Sequence, residues 1–145
     1  MKGYKFKLQK LLDIRLDMEE QSKRTFKEAQ LEKLEVQNRL NSLKESYEKY
    51  RKLDNSETSV DMKIKHLYLN NITYMINSTN EVLAEKEKNL NEKRKDLKKR
   101  QVERKTVEVL KEKKQAAFDL KQKIIEQNMN DEFALYGYIR NLERR

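Results

Sequence analysis

The sequence predicts an all-α protein, a long antiparallel two-helix coiled-coil hairpin with a C-terminal overhang, and three observations carry that expectation. The 145 residues include no proline and only two glycines, Gly3 and Gly137. Nothing between them supplies the turns on which sheet, sandwich and Rossmann-type folds rely. Charged residues make up 41% and hydrophobic residues 36% of the chain, an apolar supply that suits a narrow seam better than a globular core. The apolar residues also recur at regular intervals among good helix formers, which separates this chain from a disordered one of similar polarity.

The first helix is expected over residues 4–53. From Leu8 to Tyr50 apolar residues alternate in steps of three and four: Leu12, Phe26, Leu40 and Tyr47 hold one heptad position, and Leu8, Ala29, Val36, Leu43 and Tyr50 the other. Arg15, Glu19, Ser22 and Lys33 interrupt the stripe, so the seam is dry towards Tyr50 and polar in its middle. Leu11, Ile14, Leu16 and Met18 widen the apolar face near the start.

Residues 54–60, DNSETSV, are expected to form the turn. Their side chains compete with the helix for backbone hydrogen bonds, and Thr58 or Ser59 followed by Asp61 suits a new N-cap with an acid in the first turn. The second helix is expected over 61–130, with Met62, Leu69, Ile72, Ile76, Thr79, Leu83, Leu90 and Leu97 on its seam, followed by Val107, Leu110, Ala117 and Ile124. The step from Leu97 to Val107 is a heptad plus three, which predicts local overwinding. Residues 131–145 form a C-terminal tail, and the whole reads as one coiled-coil domain, 1–145.

An antiparallel fold about residue 58 sets Tyr47 and Tyr50 beside Leu69 and Ile72, and Leu8 and Leu12 beside Leu110 and Val107. Glu19 and Glu20 come opposite Lys98, Lys99 and Arg100, which biases register even at about 0 to 1 kcal/mol per exposed pair. At about 1.5 Å per residue the paired rod would be roughly 75 Å long. From about residue 113 onward the second helix has no counterpart in the first.

Catalytic constellations are missing. His66 is the sole histidine, its helical neighbours Met62, Lys63, Leu69 and Asn70 offer no ligand partner, and there is no cysteine; no metal set and no cofactor is expected. The carboxylates sit among lysines on solvated helix faces, and two glycines at the chain ends cannot build a phosphate loop or a nucleophile elbow. The chain is not expected to be an enzyme. Zero cysteine fits an intracellular protein. The longest apolar run, Phe133 to Tyr136, is far below the roughly 20 residues of a membrane span, and MKGYKFKLQK lacks the apolar core of a secretory signal.

The chain carries 34 basic and 25 acidic residues, a net charge of +9. Much of the excess sits in one band, KRKDLKKRQVERK at 93–105, where eight basic residues face only Asp96 and Glu103. Such a band suits a polyanion or an acidic protein surface, or is simply a solvated face. A basic zipper fits poorly, because its basic segment precedes the leucines, whereas here it follows and overlaps Leu83, Leu90 and Leu97. No aromatic residue interleaves with the band, so nucleic acid is not expected to be bound by stacking. The tail FALYGYIRNLERR, Phe133 to Arg145, is apolar and basic, suited to an interfacial helix or to docking on the rod or a partner.

FKLQKLLDIR (Phe6 to Arg15), RKTVEVLKEKKQAAF (Arg104 to Phe118) and NDEFA (Asn130 to Ala134), in that order and at these places in a chain of this length, resemble the FliJ family of flagellar type III protein export. The resemblance spans nearly the whole chain and implies a coiled coil similar to the central stalk subunit of rotary ATPases. It implies a non-enzymatic export component of flagellum biogenesis and cell motility. The implied partners are the hexameric flagellar export ATPase ring, the membrane export-gate protein and the chaperones of late export substrates. The implied location is cytoplasmic, peripheral to the membrane through those partners. Carried onto this chain, the ATPase contact would use Phe6, Leu8, Leu11, Leu12, Arg15, Arg100, Arg104, Lys105, Leu110 and Lys111. The gate contact would use Tyr47, Tyr50, Ile72, Ile76, Thr79 and Leu83, which match by seam position and not by identity. The competing reading is a generic coiled-coil scaffold or a basic architectural protein that binds nucleic acid.

Overall fold

The computed structural model describes residues 3–53 and 58–145. Among these residues are two α-helices and no strand: α1, Gln9–Arg51, and α2, Ser59–Glu143. The all-α expectation holds, with two long helices packed on each other. Residues 54–57 of the expected turn lie outside the described residues.

Local chemistry explains where the helices start and stop. Thr58 precedes α2, its carbonyl accepting the amides of Asp61 and Met62 at 3.1 and 3.3 Å while its hydroxyl donates to the Asp61 carboxylate at 2.9 Å. Asp61 thus lies at the positive end of the helix dipole. At the close of α1, Lys65 of α2 donates to the carbonyls of Arg51 and Leu53 at 3.2 and 2.8 Å. Carbonyls at a helix end lack intrahelical donors, and this ammonium supplies them.

Both chain ends differ from the expected bounds. α1 begins at Gln9 and not at residue 4. Its first turn holds no acid, and Lys5 and Lys7 would bring positive charge to the positive end of a longer helix. The preceding segment instead brings the Tyr4 ring to 5.3 Å from that of Phe118. At the other end α2 runs to Glu143, so most of the segment set apart as a tail is helical. Gly137 costs an exposed helix about 1 kcal/mol relative to alanine, too little to stop a proline-free run.

The chain divides into two units, Met18–Arg100, and Met1–Asp17 with Gln101–Arg145. In the first, α1 and α2 run antiparallel. Lys86 pairs with Glu32 at 3.0 Å, and ten residues back along α1 Ser22 donates to Asp96, ten residues on from Lys86, at 2.8 Å. Ala29, Val36, Leu40, Ile72 and Leu90 are buried here, with Leu40 only 2% exposed. The predicted interruptions Glu19 and Ser22 are buried as well, each 4% exposed.

The other unit repeats the antiparallel sense. Arg15 pairs with Glu103 at 3.4 Å, and Lys111 donates to Gln9 at 2.6 Å. Leu12 and Val107 are its buried apolar pair. From Asp119 onward every residue except Gln122 is exposed, among them Ile124 of the expected seam. This stretch is the overhang, which α1 is too short to match.

The predicted overwinding between Leu97 and Val107 has a different resolution. Arg100 and Arg104, both half-buried, stand between those residues at successive steps of three, four and three. The heptad spacing continues along α2 with arginines in the apolar places, their aliphatic stems serving as packing surface.

Candidate protein-binding surfaces

The terminal unit, Met1–Asp17 with Gln101–Arg145, holds nine of the ten residues expected to meet the ATPase; Arg100 belongs to the other unit. Leu8, Leu11 and Leu110 line an open groove of about 610 Å³ with Val102, Val107 and Val109, and Lys105, Lys113 and Thr106 complete its lining. The groove exists because the first turn of α1 leaves Leu8 and Leu110 part-covered, 42% and 38% exposed. No carboxylate lines it. Its walls bury apolar surface, and its two ammonium groups favour an anionic neighbour.

The other expected residues of that set have internal tasks. Leu12 is buried, Arg15 pairs with Glu103, and Lys111 donates to Gln9. Arg104 binds Glu108 one turn on along α2. Phe6 is half-buried beside a second cavity lined also by Tyr4, Lys5 and Gln9. In the Met18–Arg100 unit, Arg100 lies 3.9 Å from Asp96 and donates to the Met18 sulfur at 3.7 Å. Lys105 is therefore the expected basic residue most open to a partner.

The basic band divides by residue type. Arg94 lies over the Phe26 ring at 5.9 Å and bonds Asn91, whereas Lys95, Lys98 and Lys99 point to solvent. Glu19 and Glu20 both reach Lys23 on their own helix, at 3.8 and 3.4 Å. Ser22 and Asp96 add a cross-helix hydrogen bond to this region, between residues that the expected charge pairs do not include.

The expected gate residues all lie in the Met18–Arg100 unit. Ile72 and Thr79 are buried, Tyr47, Ile76 and Leu83 half-buried, and Tyr50 lies against Tyr68 with ring centroids 4.1 Å apart. They lie along the contact between the two helices, and Tyr50 and parts of Tyr47, Ile76 and Leu83 reach the surface. His66 is exposed and contacts the Asn70 amide at 3.3 Å.

Sequence reasoning missed Val102, Val109 and Lys113 in the groove and Tyr4 beside it. Val102 and Val109 are one heptad apart but off the main stripe, so a search for a single seam passes over them. A second stripe at the same period was the available signal.

Two long paired helices with an open apolar groove rimmed by lysine define an all-α helical hairpin whose exposed surface suits contact with another protein. The chain matches the family model of the flagellar FliJ protein over residues 4–143, and it belongs to that family. It is therefore a component of flagellar export, from a family that is not catalytic. No curated protein matches the chain, and no solved structure does. Among the described residues no helix is long and apolar enough to cross a membrane.

Proposed function

We propose that this chain is a non-enzymatic coupling element of flagellar export. It binds the hexameric export ATPase through the terminal unit and the membrane export gate through the Met18–Arg100 unit, and it also serves the chaperones of late substrates. It works in the cytoplasm, held at the membrane side by these partners. Family membership supports the export role, and the lysine-rimmed groove formed by Leu8, Leu11, Val107 and Leu110 is the observation that carries the ATPase contact.

The physical logic needs no chemistry within the helices. A groove that makes better contacts with one state of a ring subunit than with another shifts that subunit's equilibrium by the difference in binding free energy. Apolar walls supply affinity and the lysines orient the approach. A long helical element can carry a second contact elsewhere along its length, which is the minimum a coupling component requires.

Capture of the purified export ATPase, read for both association and ATP hydrolysis, tests the proposal. Lys105→Glu with Lys113→Glu removes the charge preference without touching a buried residue or an observed ion pair. This variant is expected to keep its helicity by circular dichroism and to lose on the order of tenfold in binding or stimulation. Full stimulation by the variant would take the groove out of the mechanism. Absence of binding by the parent chain would remove the ATPase contact itself.

A further inference from the structure

The overhang of α2 changes chemistry abruptly after Asp131 and Glu132. The next ten residues, FALYGYIRNL at 133–142, carry one charge, Arg140, in a chain that is 41% charged. Six of the ten are large apolar or aromatic side chains: Phe133, Leu135, Tyr136, Tyr138, Ile139 and Leu142. All six are open to solvent, from 41% exposed for Ile139 to 69% for Phe133.

The helix sorts these side chains by kind, at about 100° per residue. Tyr138, Leu142, Leu135 and Ile139 are neighbours on one face, and Tyr136 and Phe133 continue it with Arg140 between them. The far side holds Ala134, Gly137 and Asn141, which are small or neutral. Glu143, the last residue of α2, is the one acid after Glu132, against Arg140, Arg144 and Arg145.

We infer that residues 133–145 bind the surface of an anionic lipid bilayer, with the last turns of α2 lying in the plane of the headgroups. Width favours lipid over a partner helix. A coiled-coil partner covers two positions per heptad, about three residues in ten, whereas six of ten are apolar or aromatic and exposed here. A fluid headgroup layer covers such an arc whole, and tyrosine rings suit a boundary that is apolar on one side and wet on the other.

Charge sets the limits of the contact. The three arginines attract anionic headgroups, with guanidinium geometry matched to phosphate, while Asp131 and Glu132 are repelled and end the contact at Phe133. Ten residues are too few to span a bilayer, so the helix lies on it. An anchor this short is weak and reversible, and it supplements the hold of the export partners.

Vesicles of phosphatidylcholine with about one third phosphatidylglycerol, set against phosphatidylcholine alone, test the inference on the full chain. The chain contains no tryptophan, so Tyr136→Trp places a single indole on the lipid face and Leu31→Trp places one on exposed α1. Adsorption through the lysines of the basic band would leave both indoles in water. Insertion shifts the emission of position 136 to the blue on the anionic vesicles and leaves that of position 31 unchanged. In co-sedimentation, Leu135→Gln with Ile139→Gln is expected to lower partition onto the anionic vesicles about tenfold, at the same net charge and helicity. Equal emission shifts at both positions, a double-glutamine variant that sediments like the parent, or equal partition onto both kinds of vesicle overturns the inference. If the chain binds neither vesicle and the double-glutamine variant loses capture of the export ATPase instead, the face belongs to that ATPase and the lipid contact is refuted.

Discussion

Within the Met18–Arg100 unit, the two halves of one seam solve the same geometric problem with opposite chemistry. Towards the end of α1 the inward positions are Val36, Leu40 and, from α2, Ile72; nearer its start they are Glu19 and Ser22, facing Asp96. Burial is nearly equal, 2% exposed for Leu40 and 4% for Glu19. Position on the three-four stripe decides what is buried, and residue type decides what burial does. Apolar contact is non-directional and tolerates a heptad slip, so it gives stability without fixing register. A hydrogen bond such as Ser22 to Asp96 is satisfied in one register only, which is how polar seam residues specify pairing at some expense in stability.

Cutting into the dry half gives the largest effect. Leu40→Ala is expected to destabilise the chain by about 2 to 5 kcal/mol, because the removed methyl groups leave a cavity between two helices that cannot close freely. Urea unfolding followed by circular dichroism measures it. A loss below about 1 kcal/mol would mean that the apolar half is not where stability resides.

The polar half should respond with the other sign. Glu19→Leu places an apolar side chain at a buried position and leaves Lys23, 49% exposed, paired with Glu20. Stability is expected to rise by about 1 kcal/mol, since replacing a desolvated carboxylate by a packed apolar group is favourable where its cationic partners keep access to water. Register should loosen at the same time. Paired cysteine probes across the helices would then link at positions one heptad apart as well as at the native ones. A clear drop in stability would show Glu19 to be a net contributor, and the contrast between the two halves would fail.

How far the sequence reaches follows the same division. Proline and glycine scarcity, heptads and the Thr58 to Asp61 signal identify both helices, because each is a local pattern with a direct backbone consequence. The start of α1 at Gln9 was not legible, since the Tyr4 contact with Phe118 joins residues far apart in sequence. The seam from Leu97 to Val107 was misread for a related reason. Arg100 and Arg104 look like solvent-facing residues, and only the antiparallel pairing shows that they occupy inward places. Of the candidate contacts, Leu8, Leu11 and Leu110 carry over from the family resemblance, and the groove they line appears only in the structure. Val102 and Val109 lie off the main seam, and a sequence does not say which of two stripes its partner helix covers.

Ion pairs between the helices supply the smallest and most discriminating test. Lys86 and Glu32 meet at 3.0 Å with side chains 35% and 50% exposed, so water competes for both charges and two flexible side chains lose freedom to hold one geometry. A double-mutant cycle with Lys86→Ala and Glu32→Ala is expected to give a coupling of about 0.5 kcal/mol, shrinking in high salt. The cost of Leu40→Ala should be the same in both buffers. If the coupling instead exceeds about 1.5 kcal/mol and resists salt, exposed pairs share the work of the dry seam. Stability would then be spread along α1 and α2, and the polar half could no longer be read as a region that trades stability for register.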